Sequence, residues 1–185
     1  MKIADIEFGE KPILLAPMED VTDPSFRFLC KHFGAAMVYT EFVSSDGLIR
    51  DAAKSLAKLQ ISDEERPVGI QIYGHLIDAM VEAAKIAEAA RPDVIDINFG
   101  CPVKKIAHRG AGSGIMKDVQ ERIAMTKAIV DGVKVTVTVK SAVVSYAGMK
   151  MASDYTQIIE IEKEVKAIIS DSLTDHSRQN AGSAV

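Results

Sequence analysis

Short apolar runs rich in β-branched residues alternate along the chain with longer segments whose apolar residues recur at helical spacing. The apolar runs, each typical of a buried strand, are 13–18, 36–41, 68–74, 94–100 and 135–140. The intervening spacing predicts helices from Pro24 to Gly34, onward from residue 41 to about Leu59, from about Leu76 to Ala90, and from Asp118. Alternation of this kind predicts parallel strands joined by helical crossovers.

Two architectures fit that order, an open doubly wound sheet and a (β/α)8 barrel of the TIM type. Both place their chemistry at the carboxyl ends of the strands. The first βα turn lacks a GxGxxG fingerprint, and this absence favours the barrel. Eight βα units need about 250 residues, whereas the five visible strands end by residue 140. We therefore predict an α/β fold in which residues 1–140 form the first five units of a barrel, a partial barrel.

The rest of the chain has a different pattern. Residues 141–170 form an atypical tail in which Asp154 is a candidate helix cap. The apolar residues behind it are spaced to form one stripe of a C-terminal helix: Ile158, Ile161, Val165 and Ile168. Residues 171–185 are polar and have the composition of a disordered segment.

Composition narrows the functional classes. The chain has 185 residues, 48% of them hydrophobic and 26% charged, as in a globular domain. Its net charge of −4 argues against a strongly basic nucleic-acid-binding domain, but leaves room for a local basic patch. No apolar run is long enough for a signal peptide or a membrane span, so we expect a cytoplasmic location. The four histidines lack the spacing of metal ligands, so we expect no metal site.

Cys101 lies between Gly100 and Pro102, directly after the fourth predicted strand. A thiol in such a turn, at the mouth of a barrel, is typical of a reactive or proton-donating group. The alternative is a small buried hydrophobic residue, the usual role of a free cysteine. Cys30, in contrast, shares the apolar face of the first helix with Phe26, Leu29 and Phe33, and that face is expected to pack in the core.

Three further features are candidates for a binding site. The glycine-rich stretch 108–114 either cradles a phosphate at a helix start or forms a tight turn. Lys140 ends an apolar strand, where a cation either contacts a cofactor or reaches water. Gln71 lies in another apolar strand, where its amide either contacts a ring edge or is satisfied inside the protein.

Five blocks of the sequence resemble, in order, those of the tRNA-dihydrouridine synthases, flavin-binding (β/α)8 barrels. They are LAPMEDVTDPSFR (15–27), TEFVSSDGL (40–48), VGIQIYG (68–74), DINFGCPVKKIAHRGAGSGIM (96–116) and VTVK (137–140). The GCPVKK block is the most specific of them. The resemblance implies an oxidoreductase that uses NADPH and FMN to reduce uridine in tRNA to 5,6-dihydrouridine.

The same resemblance implies roles for individual residues. Cys101 matches the acid that protonates C5 of the uracil. Flavin contacts match Ala16, Pro17, Met18, Gln71 and Lys140. Asn98 matches a residue near the uracil, while Lys105 and Arg109 match positions near RNA phosphates.

After Lys140 the resemblance stops, so the catalytic barrel is expected to be truncated after about residue 140. Three interpretations remain open. The chain is the recognisable part of a tRNA-reducing enzyme, a non-catalytic fragment or half-barrel interaction module, or a flavin-barrel reductase that acts on a free pyrimidine. An open barrel edge also leaves strand groups unpaired, which favours self-association.

Overall fold

The computed structural model describes residues 2–101, 103–141 and 157–161. Two short strands, β1 (Lys2–Ile3) and β2 (Ile6–Glu7), form an antiparallel hairpin. They are followed by β3 (Leu14–Leu15), β4 (Met37–Tyr39), β5 (Val43–Ser44), β6 (Val68–Tyr73), β7 (Val94–Asn98) and β8 (Thr136–Ser141). Strands β3, β4, β6, β7 and β8 lie side by side in chain order, all parallel, and β5 adds a short parallel pairing to β6. The five predicted strands and the partial barrel are confirmed.

The helices are α1 (Pro24–His32), α2 (Ser45–Ile49), α3 (Ala53–Ala57), α4 (Ile77–Ala89), α5 (Lys104–Ala107) and α6 (Val119–Gly132). Short 3-10 helices occur at Asp63–Glu65 and at Gly112–Lys117. The side chain of Asp23 accepts a hydrogen bond from the Phe26 amide and caps α1, and Asp118 caps α6 in the same way. The helix predicted to run to about Leu59 is instead two short helices, α2 and α3. Within the described ranges, no helix is long and apolar enough to cross a bilayer.

One face of the main sheet forms the principal core with α4 and α6. The strand residues in this core, all buried, are Ile70, Ile72, Ile95, Ile97, Val137 and Val139. They pack with helix residues that include Met80, Ala84, Met125 and Ile129. Because strand side chains alternate between faces, the residues between these positions lie on the opposite face.

The N-terminal hairpin covers part of that opposite face. Ile3 is buried with Met37, Tyr39 and Val94 in a second, smaller cluster. Val94 begins β7, and Tyr39 pairs with Gly69 near the start of β6. The hairpin therefore covers the amino ends of the strands, and the carboxyl ends are left for the site.

Helix α1 differs from the sequence-based prediction. Phe33 is 79% exposed and Leu29 49% exposed, and Cys30 is only partly buried, so the apolar face is largely at the surface. Arg27 is the buried residue, where it bonds to Glu65 at 2.6 Å and to the carbonyls of Thr22 and Gln60. Beside β3, the outermost strand of the sheet, no described element covers the apolar face.

The tail also differs from the prediction at the positions that the structure describes. Residues Gln157–Ile161 form a strand, β9, that pairs antiparallel with β8, where a helix was predicted. The isoleucines in this segment suit a strand, and the edge of β8 offers unpaired backbone groups. The rest of the predicted helix and the disorder predicted for 171–185 lie outside the described residues.

Candidate active site

The face of the sheet opposite the helices carries polar residues at neighbouring positions. In the strand register Gln71 lies opposite Asp96, and Asp96 lies opposite Thr138. One step closer to the carboxyl ends, Asn98 lies opposite Lys140. Because the strands are parallel, these side chains gather at one edge, where α/β barrels place their chemistry.

Hydrogen bonds join these residues into a continuous chain. The Thr138 hydroxyl donates to Asp96 at 2.6 Å, and Gln71 Nε2 donates to the other oxygen of Asp96 at 2.5 Å. Asn98 Nδ2 donates to Gln71 Oε1 at 2.9 Å. Asn98 Oδ1 accepts from the backbone amides of Gly100 at 2.9 Å and Cys101 at 3.0 Å. This series of hydrogen bonds thus connects Thr138 on β8, through Asp96, Gln71 and Asn98, to the loop that contains Cys101. We call this loop the thiol loop.

Asp96 is a buried carboxyl group. Only 3% of the residue is exposed. Burial raises the pKa of this carboxyl, while the hydrogen bonds from Thr138 and Gln71 and the nearby charge of Lys140 act in the opposite direction. The group therefore releases its proton less readily than an exposed aspartate does.

Cys101 is a partly exposed free thiol in the loop between β7 and α5. Its carbonyl accepts a hydrogen bond from the Ser113 amide at 3.0 Å, so the glycine-rich segment closes against the loop. The thiol is thus neither in a helix nor in the packed core. This placement agrees with the strand-end position predicted for it.

The glycine-rich segment packs around Cys101. Gly112 has φ +54°, and a Cβ on it would lie 2.8 Å from the Cys101 carbonyl oxygen and 2.9 Å from the Cys101 Cβ. The amides of Gly110, Ser113 and Gly114 donate to carbonyls within the segment or its neighbours. Because those N–H groups are already used, the geometry favours the tight turn over the phosphate cradle.

The other predicted flavin contacts lie at the same edge of the sheet. Ala16, Pro17 and Met18 follow β3, with Met18 exposed and Pro17 partly buried. Met18 is fixed by Thr22, whose hydroxyl accepts from the Met18 amide and donates to the Met18 carbonyl. Lys140 is partly buried beside Asn98 on β8. Gln71 is fully buried. Its amide bonds to Asp96 and Asn98, which agrees with the alternative that it is satisfied inside the protein.

The predicted RNA contacts belong to a basic surface beside the thiol loop. Lys105 lies on α5 and Arg109 in the turn that follows it, and both are exposed. Lys104 and His108 are exposed on the same short segment. The local basic patch that the net charge left open is therefore present next to Cys101.

A group of charged side chains lies near the end of β3, and the sequence did not predict it as a cluster. Carboxylate oxygens of Glu19, Asp20 and Glu41 lie within 4.8 Å of one another. Lys58 pairs with Glu19 at 2.5 Å and approaches Glu41 at 3.6 Å. Since the lysine already compensates two of the carboxylates, the group has the character of an ion-pair cluster. Glu41 and Lys58 are distant in sequence from the adjacent Glu19 and Asp20, so spacing offered no signal.

Comparison with known proteins identifies the family. Residues 14–183 match the family described as "Dihydrouridine synthase (Dus)". The chain belongs to the dihydrouridine synthase family. A "Probable tRNA-dihydrouridine synthase" of Rickettsia prowazekii is 41% identical over 141 residues, which are 76% of this chain and 43% of that protein. The "tRNA-dihydrouridine synthase B" of Pseudomonas syringae pv. tomato is 38% identical over 128 residues, 69% of this chain and 38% of that protein.

This chain therefore spans about two fifths of the length of these relatives. The resemblance seen in the five sequence blocks is confirmed at the level of the family. Enzymes of this family are flavin-dependent in general.

The described residues fit the ring of a flavin better than its phosphate. Met18 and Pro17 offer apolar surface at the carboxyl edge, and Lys140 offers a cation there. Gln71 retains one amide hydrogen beyond the bonds to Asp96 and Asn98. In the glycine-rich segment, in contrast, the amides of Gly110, Ser113 and Gly114 already donate to carbonyls and are not free for a phosphate.

Proposed function

We propose that this chain carries the uracil-reducing centre of a tRNA-dihydrouridine synthase, with Cys101 as the proton donor. The observation that carries the proposal is the partly exposed thiol of Cys101, held at the carboxyl edge of the sheet by Asn98. The names of the relatives indicate tRNA as the substrate. A tRNA substrate also makes the cytoplasm the expected location.

Cys101 has a defined chemical task in this proposal. Bound FMN, reduced by NADPH, supplies the hydride that adds to C6 of a uracil. Hydride addition leaves negative charge at C5 and the C4 carbonyl, so an acid on the C5 side completes the reduction. Cys101 transfers its S–H proton to C5 and is left as a thiolate, which solvent reprotonates.

The remaining predicted residues bind and orient the reactants. Pro17, Met18 and the neighbouring Ala16 would lie along a bound flavin ring, and Lys140 and Gln71 would contact its polar edge. Asn98 lies beside the uracil. The uracil must leave its stack to reach this edge, and Lys105 and Arg109 on the exposed basic surface hold the phosphates of the strand that carries it.

Replacing Cys101 tests the proposal. The matching segment of the Rickettsia prowazekii relative is exchanged for residues 14–140, with and without Cys101→Ala. A positioned general acid contributes about 10²–10⁴-fold to rate, so dihydrouridine formation should fall by about that factor. Reduction of the flavin by NADPH, followed by absorbance, should be unchanged because the thiol acts only in the second half-reaction.

Cys30→Ala is the matched control, since Cys30 is a partly buried thiol on helix α1, outside the strand ends that carry the proposed chemistry. It should leave both half-reactions unchanged. Equal loss of flavin reduction and uracil reduction in Cys101→Ala would contradict the proposal and make Cys101 a structural residue.

A second candidate is a non-catalytic interaction module. The observation that favours it is the exposed apolar surface of α1, where Phe28 is 51% and Phe33 79% exposed. Purified protein that is yellow and releases FMN supports the enzyme. Colourless protein that elutes as an oligomer, with Phe33→Ser restoring the monomer, supports the module.

A further inference from the structure

The thiol loop imposes a fixed direction on its hydrogen bonds. The backbone N–H groups of Gly100 and Cys101 can only donate, so the side chain that faces them must present an acceptor. That acceptor is Asn98 Oδ1, at 2.9 and 3.0 Å. The amide nitrogen of Asn98 must then point away from the loop and find an acceptor of its own.

The direction is passed on through two more side chains. Asn98 Nδ2 donates to Gln71 Oε1, so Gln71 presents its nitrogen to Asp96. A carboxylate has no hydrogen to donate, and it is therefore the partner that can end such a chain. Thr138 donates to the second oxygen of Asp96. Every polar group in this series is satisfied only when all the amides point the same way.

We infer that Asn98, oriented by Asp96 through Gln71, is a positioning residue that holds the loop bearing the Cys101 thiol. Asn98, Gln71 and Asp96 are 5%, 0% and 3% exposed, so water cannot readily replace a lost partner. This role goes beyond a contact between Asn98 and the uracil. It rests on the proposed function for the task of Cys101, but the hydrogen-bond chain itself can be tested without turnover.

Hydrogen–deuterium exchange of the purified 185-residue chain tests the first link. Asn98→Ala removes the acceptor, so the amides of Gly100 and Cys101 should exchange at least tenfold faster. Amides within β6 and β7 should keep their rates, which general destabilisation would not allow. Asn98→Asp keeps an oxygen facing both amides and should leave their exchange slow. If Asn98→Ala does not fold, Asn98→Ser, whose hydroxyl is shorter, replaces it.

Alkylation of the thiols gives a second readout. Cys101 in Asn98→Ala should react with iodoacetamide at least threefold faster than in the unmodified chain because the loop is released. Cys30 in the same sample is the internal reference and should react at an unchanged rate. Equal acceleration of both thiols, or unchanged exchange at Gly100 and Cys101, would overturn the inference.

A double variant tests the direction set by Asp96. In Asn98→Asp, Gln71 lies between two carboxylates and cannot donate to both, so the protein should be destabilised. Adding Asp96→Asn supplies a donor to Gln71 Oε1 while Gln71 Nε2 turns to residue 98, and Thr138 still has an acceptor. The unfolding equilibrium constant of the double variant in urea should therefore be at least tenfold smaller than that of Asn98→Asp alone.

Additive effects of the two substitutions would overturn the inference, because independent buried groups have no reason to rescue each other. If Asn98→Asp does not fold, the double variant decides: a folded double variant with slow exchange at Gly100 and Cys101 supports the inference, and an unfolded one overturns it. None of these outcomes depends on uracil reduction. Failure of the proposed function would instead appear as an inactive but correctly positioned thiol.

Discussion

Two opposing effects act on the pKa of Asp96. Burial favours the neutral acid, whereas the donors Thr138 and Gln71 and the charge of Lys140 favour the carboxylate. Burial prevails, so the pKa in the folded protein is raised above that of an unfolded aspartate. Asp96 therefore couples stability to pH in the direction opposite to that of a salt-bridged carboxylate.

The pH dependence of stability measures this coupling. Between the unfolded and the folded pKa of Asp96, only the native state holds the proton, so the free energy of unfolding falls as pH rises through that interval. The slope is about 1.4 kcal/mol per pH unit where only native Asp96 is protonated. Asp96→Asn lacks this contribution, so the stability of the unmodified chain relative to this variant should decline from pH 4 upward in urea titrations. A difference that instead grows with pH would show that Asp96 is a stabilised carboxylate.

Gln71 and Asn98 show how far the sequence predicts individual residues. Its position in an apolar strand marked Gln71 as unusual, and the family resemblance gave both residues a role. Their partners were not predictable, since the bond from Asn98 to Gln71 joins residues 27 positions apart and depends on the register of β6 and β7. Register depends on tertiary packing and cannot be predicted from the sequence of either strand alone.

At the scale of elements, the strongly patterned segments were predicted correctly. Strands β6, β7 and β8 are rich in Val and Ile, as expected for parallel strands covered by helices. Apart from the helix predicted to run to about Leu59, which is two short helices, the errors fall at the two ends of the sheet. The apolar face of α1 was expected to pack, but no described element lies against it, and the stripe in the tail fits a strand beside β8 as well as a helix. Periodicity cannot indicate whether a neighbouring element exists.

Gly112 has a left-handed backbone conformation and lies in a turn that packs against Cys101 in the thiol loop. Gly112→Ala adds a side chain at φ +54°, which costs about 1–2 kcal/mol in the left-handed region. It also forces the new Cβ against the Cys101 carbonyl and Cβ, and overpacking costs roughly 1–3 kcal/mol more. We expect a loss of about 2–5 kcal/mol in urea unfolding, from the sum of these two costs.

Two glycines serve as matched controls for this substitution. Gly34 has φ +95° with open space where a Cβ would lie, so Gly34→Ala should lose only the conformational contribution. Gly9 has open space and no positive φ, and Gly9→Ala should change stability by less than about 0.5 kcal/mol. If Gly112→Ala costs no more than Gly34→Ala, then the turn does not press on Cys101.

At the scale of the whole molecule, the two edges of the sheet are not equivalent. On the β8 side, strand β9 supplies backbone partners. On the other side, β3 is the last strand of the described sheet, and the helix that follows it, α1, exposes apolar residues. Self-association therefore stays a prediction, and the structure points to the β3 edge as the surface on which to look for it.

Flavin binding by the whole chain should reveal which part of the cofactor site is present. The candidate ring contacts are Pro17, Met18, Gln71 and Lys140, while the amides of Gly110, Ser113 and Gly114 in the glycine-rich segment donate to carbonyls of the chain. Hydrogen bonds to a charged group contribute roughly 1.5–3 kcal/mol each, so a site without two of them loses at least about a hundredfold in affinity. We therefore expect the 185-residue chain to bind FMN and riboflavin with similar, weak affinity when flavin fluorescence is titrated. Lys140→Ala should weaken both, whereas Lys105→Ala, which removes an exposed cation beside the thiol loop, should weaken neither. Binding of FMN a hundredfold tighter than riboflavin would mean that residues outside the described ranges supply a phosphate site, and the chain would then hold its cofactor as a complete enzyme does.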